Sequence, residues 1–118
     1  MAAGVFDLTE DNAIEQGATW QRLIKWRDSD EALISNVGYS ARMKIKADVN
    51  STEVLSLTDA SGIALGGANG EILITISKTQ TAAISPGVYV YDLELESAGG
   101  VVTRLLQGRV DVIAEVTR

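Results

Sequence analysis

The stretch that decides the fold is Val88-Tyr89-Val90-Tyr91-Asp92-Leu93-Glu94-Leu95-Glu96. Tyr89, Tyr91, Leu93 and Leu95 fall on one side of an extended chain, and Asp92, Glu94 and Glu96 on the other. A period of two is the mark of a half-buried strand. Ser97-Ala98-Gly99-Gly100 follows, short and flexible enough to join an antiparallel hairpin, and Val101 to Val112 makes the returning strand. Setting Glu96 opposite Val101 places Leu95 by Val102, Tyr91 by Leu106 and Tyr89 by Gly108, so the apolar faces coincide. A tyrosine over a strand glycine restores packing that glycine lacks. The same register puts Arg104 on the apolar face opposite Leu93.

Working outward, Tyr39-Ser40-Ala41-Arg42-Met43-Lys44-Ile45-Lys46-Ala47 repeats the period, with every odd residue apolar and every even one polar. Shorter segments complete the pattern: Thr19 to Trp26, Val54 to Thr58, Ile63 to Leu65 and Glu71 to Ile76. Gly66-Gly67-Ala68-Asn69-Gly70 reads as the turn between the last two. Ser77 to Ala83 reads as one helical turn capped by Ser77, and Pro86, the only proline, opens the hairpin. About seven short strands separated by regular turn signals favour a β-sandwich, with a small barrel as the rival. The expected fold is therefore all-β, a single antiparallel, immunoglobulin-like β-sandwich over residues 1–118. Residues 1–12 are expected to form an extended arm.

Composition agrees with a packed domain: 46% of the residues are hydrophobic and 22% charged, values of a globular protein. The opening Met1-Ala2-Ala3-Gly4-Val5-Phe6-Asp7 lacks the basic and apolar regions of a secretory signal, and no apolar run is long enough to span a bilayer. A net charge of -6, with basic residues clustered only at Arg42, Lys44 and Lys46, argues against a nucleic-acid partner, whose binding draws on a clustered basic surface.

Chemistry has few groups to work with. Histidine and cysteine are both absent, which removes the commonest general base, the thiol nucleophile and the usual zinc ligands. A Ser or Thr nucleophile would need a lysine base, yet Lys25, Lys44, Lys46 and Lys78 lie in segments that face solvent. Asp92, Glu94 and Glu96 sit about 7 Å apart along one strand face, a spacing to weigh for sugar or metal chemistry. The simpler account is a solvated face matched by Arg42, Lys44 and Lys46 on a neighbouring strand. Asp28-Ser29-Asp30-Glu31 offers clustered oxygens but lacks the glycine and distal glutamate of a calcium loop. Gly66, Gly67 and Gly70 are not followed by the Lys-Ser or Lys-Thr of a phosphate loop. Trp20 and Trp26 share a strand face with Ile24, where at least one should fill the core. No catalytic, cofactor-binding or metal residue is expected, and no cofactor.

One wider likeness remains. The blocks Phe6-Asp7-Leu8, Glu15-Gln16-Gly17-Ala18-Thr19-Trp20, Gly38-Tyr39-Ser40-Ala41-Arg42-Met43, Gly62-Ile63-Ala64-Leu65-Gly66-Gly67, Pro86 to Glu94 and Leu106-Gln107-Gly108-Arg109-Val110 span almost the whole chain. Together they resemble a family of short β-sandwich proteins encoded by tailed bacteriophages and prophages, found among virion genes and related to tail and baseplate domains. The chain departs from that pattern at Leu33-Ile34-Ser35-Asn36-Val37, where an Asp-Leu-Thr turn is commoner before Gly-Tyr. The resemblance implies a non-enzymatic structural virion protein made in the host cytoplasm, a tail, baseplate or fibre-attachment subunit. Its partners would be other virion proteins in several symmetry-related copies, met through edge strands and the N-terminal arm, with no nucleic acid and no membrane. The alternatives are a capsid decoration or cement protein, and a carbohydrate-binding module using Trp20, Trp26 or the tyrosines of the 88–96 strand.

Overall fold

The structure is a computed structural model that describes residues 4–28 and 30–116. Its strands are β1 (Gly4–Val5), β2 (Ile14–Glu15), β3 (Trp20–Lys25), β4 (Ser40–Lys46), β5 (Glu53–Thr58), β6 (Ile63–Leu65), β7 (Glu71–Ile76), β8 (Gly87–Glu96) and β9 (Val102–Ile113), with one helical turn, α1 (Lys78–Ala82). The first sheet runs β1-β9-β8-β4-β5, with β2 also on β9, and the second runs β3-β7-β6. This is the strand order of an immunoglobulin-like sandwich: the chain passes from the first sheet to the second at β3, back for β4 and β5, over again for β6 and β7, and returns for β8 and β9, the hairpin beside β4.

Alternation along each strand makes the core. In β8, β4 and β7 every second side chain is buried, so Met43, Ile45, Leu93 and Leu95 of one sheet meet Ile72, Ile74 and Ile76 of the other. Tyr89 lies in this core with its hydroxyl donating to the Ser85 carbonyl at 2.6 Å. That bond back across the entry to β8 is the tyrosine corner of immunoglobulin-like domains. Just upstream, Ser77 Oγ accepts from the Gln80 backbone N–H while Gln80 Oε1 accepts from Ser77 N, a capping box that starts α1. Thr81, fully buried, then donates from Oγ1 to the Ala18 carbonyl and accepts from Gly17 N–H, tying α1 to the turn before β3.

The hairpin forms with a different register from the one the alternation suggests. Ser97 N–H donates to the Val101 carbonyl, so the loop holds five residues and Glu96 pairs with Val102. A bulge between Leu93 and Glu94 then places Leu105 as an extra residue on β9. Each adds one residue to the register. Tyr91, not Tyr89, therefore stands opposite Gly108, and Tyr89 faces Val110. Arg104 is corrected likewise: it pairs with Glu94 on the polar face, and the bulge returns Leu106 to the apolar side opposite Leu93.

Of the segment expected as an arm, residues 4–8 lie along β9 and Glu10–Asn12 form a 3-10 turn. Gly4 and Val5 pair parallel with Leu106 and Gln107, Leu8 bridges Val110, and β2 resumes the pairing at Val112 and Ile113. Leu8 is 1% exposed. These parallel pairs are an exception to the antiparallel expectation, possible because the whole domain serves as the long crossover that parallel strands need.

Candidate interaction surfaces

The charged strand faces expected from the sequence come together on the outer side of the first sheet. Antiparallel pairing sets Arg42 opposite Glu94, Lys44 opposite Asp92 and Ser40 opposite Glu96. Arg42 donates from Nε to Glu94 at 2.9 Å and from Nη1 to Glu96 at 3.0 Å. These bonds, that to Glu96 first, raise the guanidinium above its ordinary value. Arg104 lies 3.4 Å from Asp92 and 3.8 Å from Glu94. With side chains this open to water, each such pair contributes under about 1 kcal/mol. They set the surface's charge pattern more than its stability. The carboxylates are thus members of a cross-strand ladder with cations between them, beneath a groove of about 640 Å³ bordered by Val5, Val49 and Val90.

Other sites weighed from the sequence resolve into structural roles. Asp28 Oδ1 accepts from the N–H groups of Asp30 and Ala32, which closes its own turn; Ser29 lies outside the described residues. Gly67–Asn69 forms a 3-10 turn, and Gly70 follows with a left-handed backbone. Among the described residues no group of three carboxylates is placed to hold a metal ion. Trp20 is buried, its indole N–H donating to the Asn12 carbonyl at 2.9 Å. Trp26 is half-buried and meets Tyr39 edge to face, with centroids 5.4 Å apart. Tyr89 and Tyr91 are buried in the core, so neither offers a stacking platform to a sugar.

Two features were not evident from pattern. Asn36, in the segment that departs from the family-like blocks, is 2% exposed. Its amide donates to the Glu71 carbonyl at 3.0 Å and its Oδ1 accepts from Gly67 N–H at 2.6 Å, joining two loops at one end of the sandwich. An asparagine flanked by Ser35 and Val37 carries no periodic signal that would mark it as buried.

The second is the seat of the N-terminal segment. Tyr91, lying across from Gly108, donates from its hydroxyl to the Phe6 carbonyl at 2.6 Å. Asp7 Oδ1 accepts from Arg109 N–H, and the N–H groups of Phe6 and Leu8 donate to Gln107 and Arg109. Arg22 stands 5.4 Å from the centre of the Phe6 ring, a cation–π contact across the two sheets. Burial pushes the Tyr91 phenol well up from its ordinary value, and the Asp7 charge adds to the rise. The fold therefore favours the protonated phenol, which contributes stability in full below the unfolded value of about 10 and loses it as pH rises past that point toward the folded value. Tyr91→Phe is expected to cost about 1 kcal/mol at neutral pH through the lost bond. It should also decline less steeply than the unmodified protein above about pH 10. Urea unfolding across that range would measure both, and parallel curves would remove Tyr91 as the titrating group.

The unpaired strand edges complete the surface. Among the described residues, β3 pairs only with β7, β6 only with β7, and β5 only with β4. Among the described residues no helix is long and apolar enough to cross a membrane. Compared with known protein families and with curated proteins, the sequence finds no match in either.

Proposed function

We propose that this chain is a non-enzymatic structural protein of a tailed bacteriophage particle, a tail, baseplate or fibre-attachment subunit that works by protein–protein contact. The observation that carries the proposal is the part that five of the six family-like blocks play in the sandwich. Phe6-Asp7-Leu8 seats the N-terminal segment, Glu15 to Trp20 turns the chain against α1, and Gly38 to Met43 leads into β4. Pro86 to Glu94 carries the tyrosine corner and the charged ladder, and Leu106 to Val110 holds the glycine that receives Tyr91. Residues spent in this way build a rigid scaffold with open edges and a patterned face. Such surfaces suit assembly more than turnover.

Mass spectrometry and imaging of purified particles test the proposal. The product should be present in a copy number that follows the symmetry of the tail, and a deletion should give particles lacking tail or fibre parts. A copy number following the symmetry of the shell would assign it instead to capsid decoration. Absence from the particle would overturn the virion reading altogether.

A further inference from the structure

We infer that the free edge of β3 is a docking site for an extended, acidic strand supplied by a different protein chain, added to the second sheet beside β7-β3. Among the described residues the sandwich has four edges, and three are poorly suited to strand addition. The N-terminal edge is interrupted by a 3-10 turn at Glu10–Asn12, with Glu10 in a left-handed backbone. β6 is only three residues long. β5 starts at a register irregularity opposite Ile45 and Lys46, and its end is tied to Gly62 by a bridge from Thr58. β3 runs through six residues in unbroken register with β7, from Trp20 opposite Ile76 to Lys25 opposite Glu71.

Its backbone is turned the right way. Trp26 N–H donates to the Gly70 carbonyl. Alternation of bonded pairs in an antiparallel ladder then assigns the even-numbered residues of β3 to β7 and directs the N–H and C=O groups of Gln21, Leu23 and Lys25 to the open side. In immunoglobulin-like sandwiches this side of the strand commonly receives the first strand of the chain. Here that segment is committed to β9.

Charge selects the occupant. From Trp20 to Arg27 the chain carries Arg22, Lys25 and Arg27 and no acid, within a protein of net charge -6; Glu71, opposite Lys25, is the one acid facing this row on β7. Cations on an exposed edge discourage self-pairing. A second copy docked edge to edge would bring no acid to this row, since Trp20 to Arg27 contains none, so self-pairing gains no ion pair across the new strands. The same cations attract a strand bearing Asp or Glu. Leu23, 51% exposed and opposite Leu73 on the outer face, offers that strand an apolar neighbour. Main-chain bonds would supply affinity and the flanking side chains selectivity.

This inference deepens the assembly reading by naming a contact, but its test needs no particle, so the two stand or fall separately. The probe is a fluorescent peptide alternating valine and glutamate, with its lysine counterpart as control, titrated against the full chain. The acidic peptide should bind, more weakly as salt rises, and slow the amide exchange of Gln21, Leu23 and Lys25. Lys25→Glu should weaken binding by about threefold or more. Leu23→Pro, which removes an outward N–H while leaving the bonds to β7, should weaken it by at least about tenfold with β7 amides still protected. Equal binding of both peptides, exchange unchanged along β3, or a dimer of the free protein formed through β3 would each overturn the inference. Should Leu23→Pro unfold the chain, Lys25→Glu and the exchange pattern still decide it.

Discussion

Gly108→Val is expected to destabilise the protein by roughly 4 kcal/mol, the sum of overpacking and the hydrogen bonds it breaks. A Cβ at this position would lie 2.5 Å from the Phe6 carbonyl oxygen and 2.7 Å from Asp7 Oδ1. Neither can yield cheaply. The carbonyl is held by the Tyr91 hydroxyl, and the carboxylate by Arg109 N–H. Relief has to come from lifting the N-terminal segment away from β9, which exposes Leu8 and releases the bonds of Phe6 and Leu8 to Gln107 and Arg109. Thermal unfolding should fall by on the order of 15 °C, with the amides of Phe6, Leu8 and Asp111 losing protection first. A double-mutant cycle sharpens the test: once the Phe6 carbonyl is displaced, adding Tyr91→Phe should cost almost nothing more. An unchanged melting temperature would show that the segment accommodates the added bulk.

Asn36→Ala is the second large effect, about 3 kcal/mol. The side chain supplies the acceptor for Gly67 N–H and a donor to the Glu71 carbonyl. Glu71 keeps a second bond from Gly66 N–H, but Gly67 N–H is left without its 2.6 Å partner. Gly67 is half-buried, so its unpartnered donor bears part of a desolvation cost, added to the two lost bonds. Asn36→Asp distinguishes the roles of the two side-chain atoms. It retains the acceptor yet turns a second oxygen toward the Glu71 carbonyl, so its deficit should be larger at neutral pH than below about pH 4, where the carboxyl is protonated. Equilibrium unfolding in urea measures both variants, and an Asn36→Ala protein as stable as its parent would remove this knot from the account.

These effects lie where pattern alone is a poor guide. Strands with strict alternation, such as Tyr39 to Ala47 and Val88 to Glu96, and the capped turn at Ser77 were legible because each depends on residues near in sequence. The ladder of Arg42 with Glu94 and Glu96 was also legible, since two such faces on adjacent strands have few other ways to pair. The hairpin register was not. A five-residue loop and a bulge at Leu105 together moved Tyr89 from Gly108 to Val110, and alternation returns the same face after a two-residue shift. Trp20 and Trp26 could not be told apart by spacing either; the Asn12 carbonyl that receives the Trp20 indole is brought in by another part of the chain.

The hairpin that opened the reading divides the matter well. Local alternation and turn chemistry determined that this chain makes antiparallel strands with one apolar face each, because backbone geometry converts a period of two directly into sidedness. Only the tertiary structure decided that the N-terminal segment lies parallel on β9 rather than along β3, and so which edge is left open. That choice depends on contacts more than eighty residues apart, among them Tyr91 with Phe6 and Asp7 with Arg109. No local pattern encodes such a meeting; it follows from which seat satisfies the most buried polar groups and apolar surface once the sheets have formed.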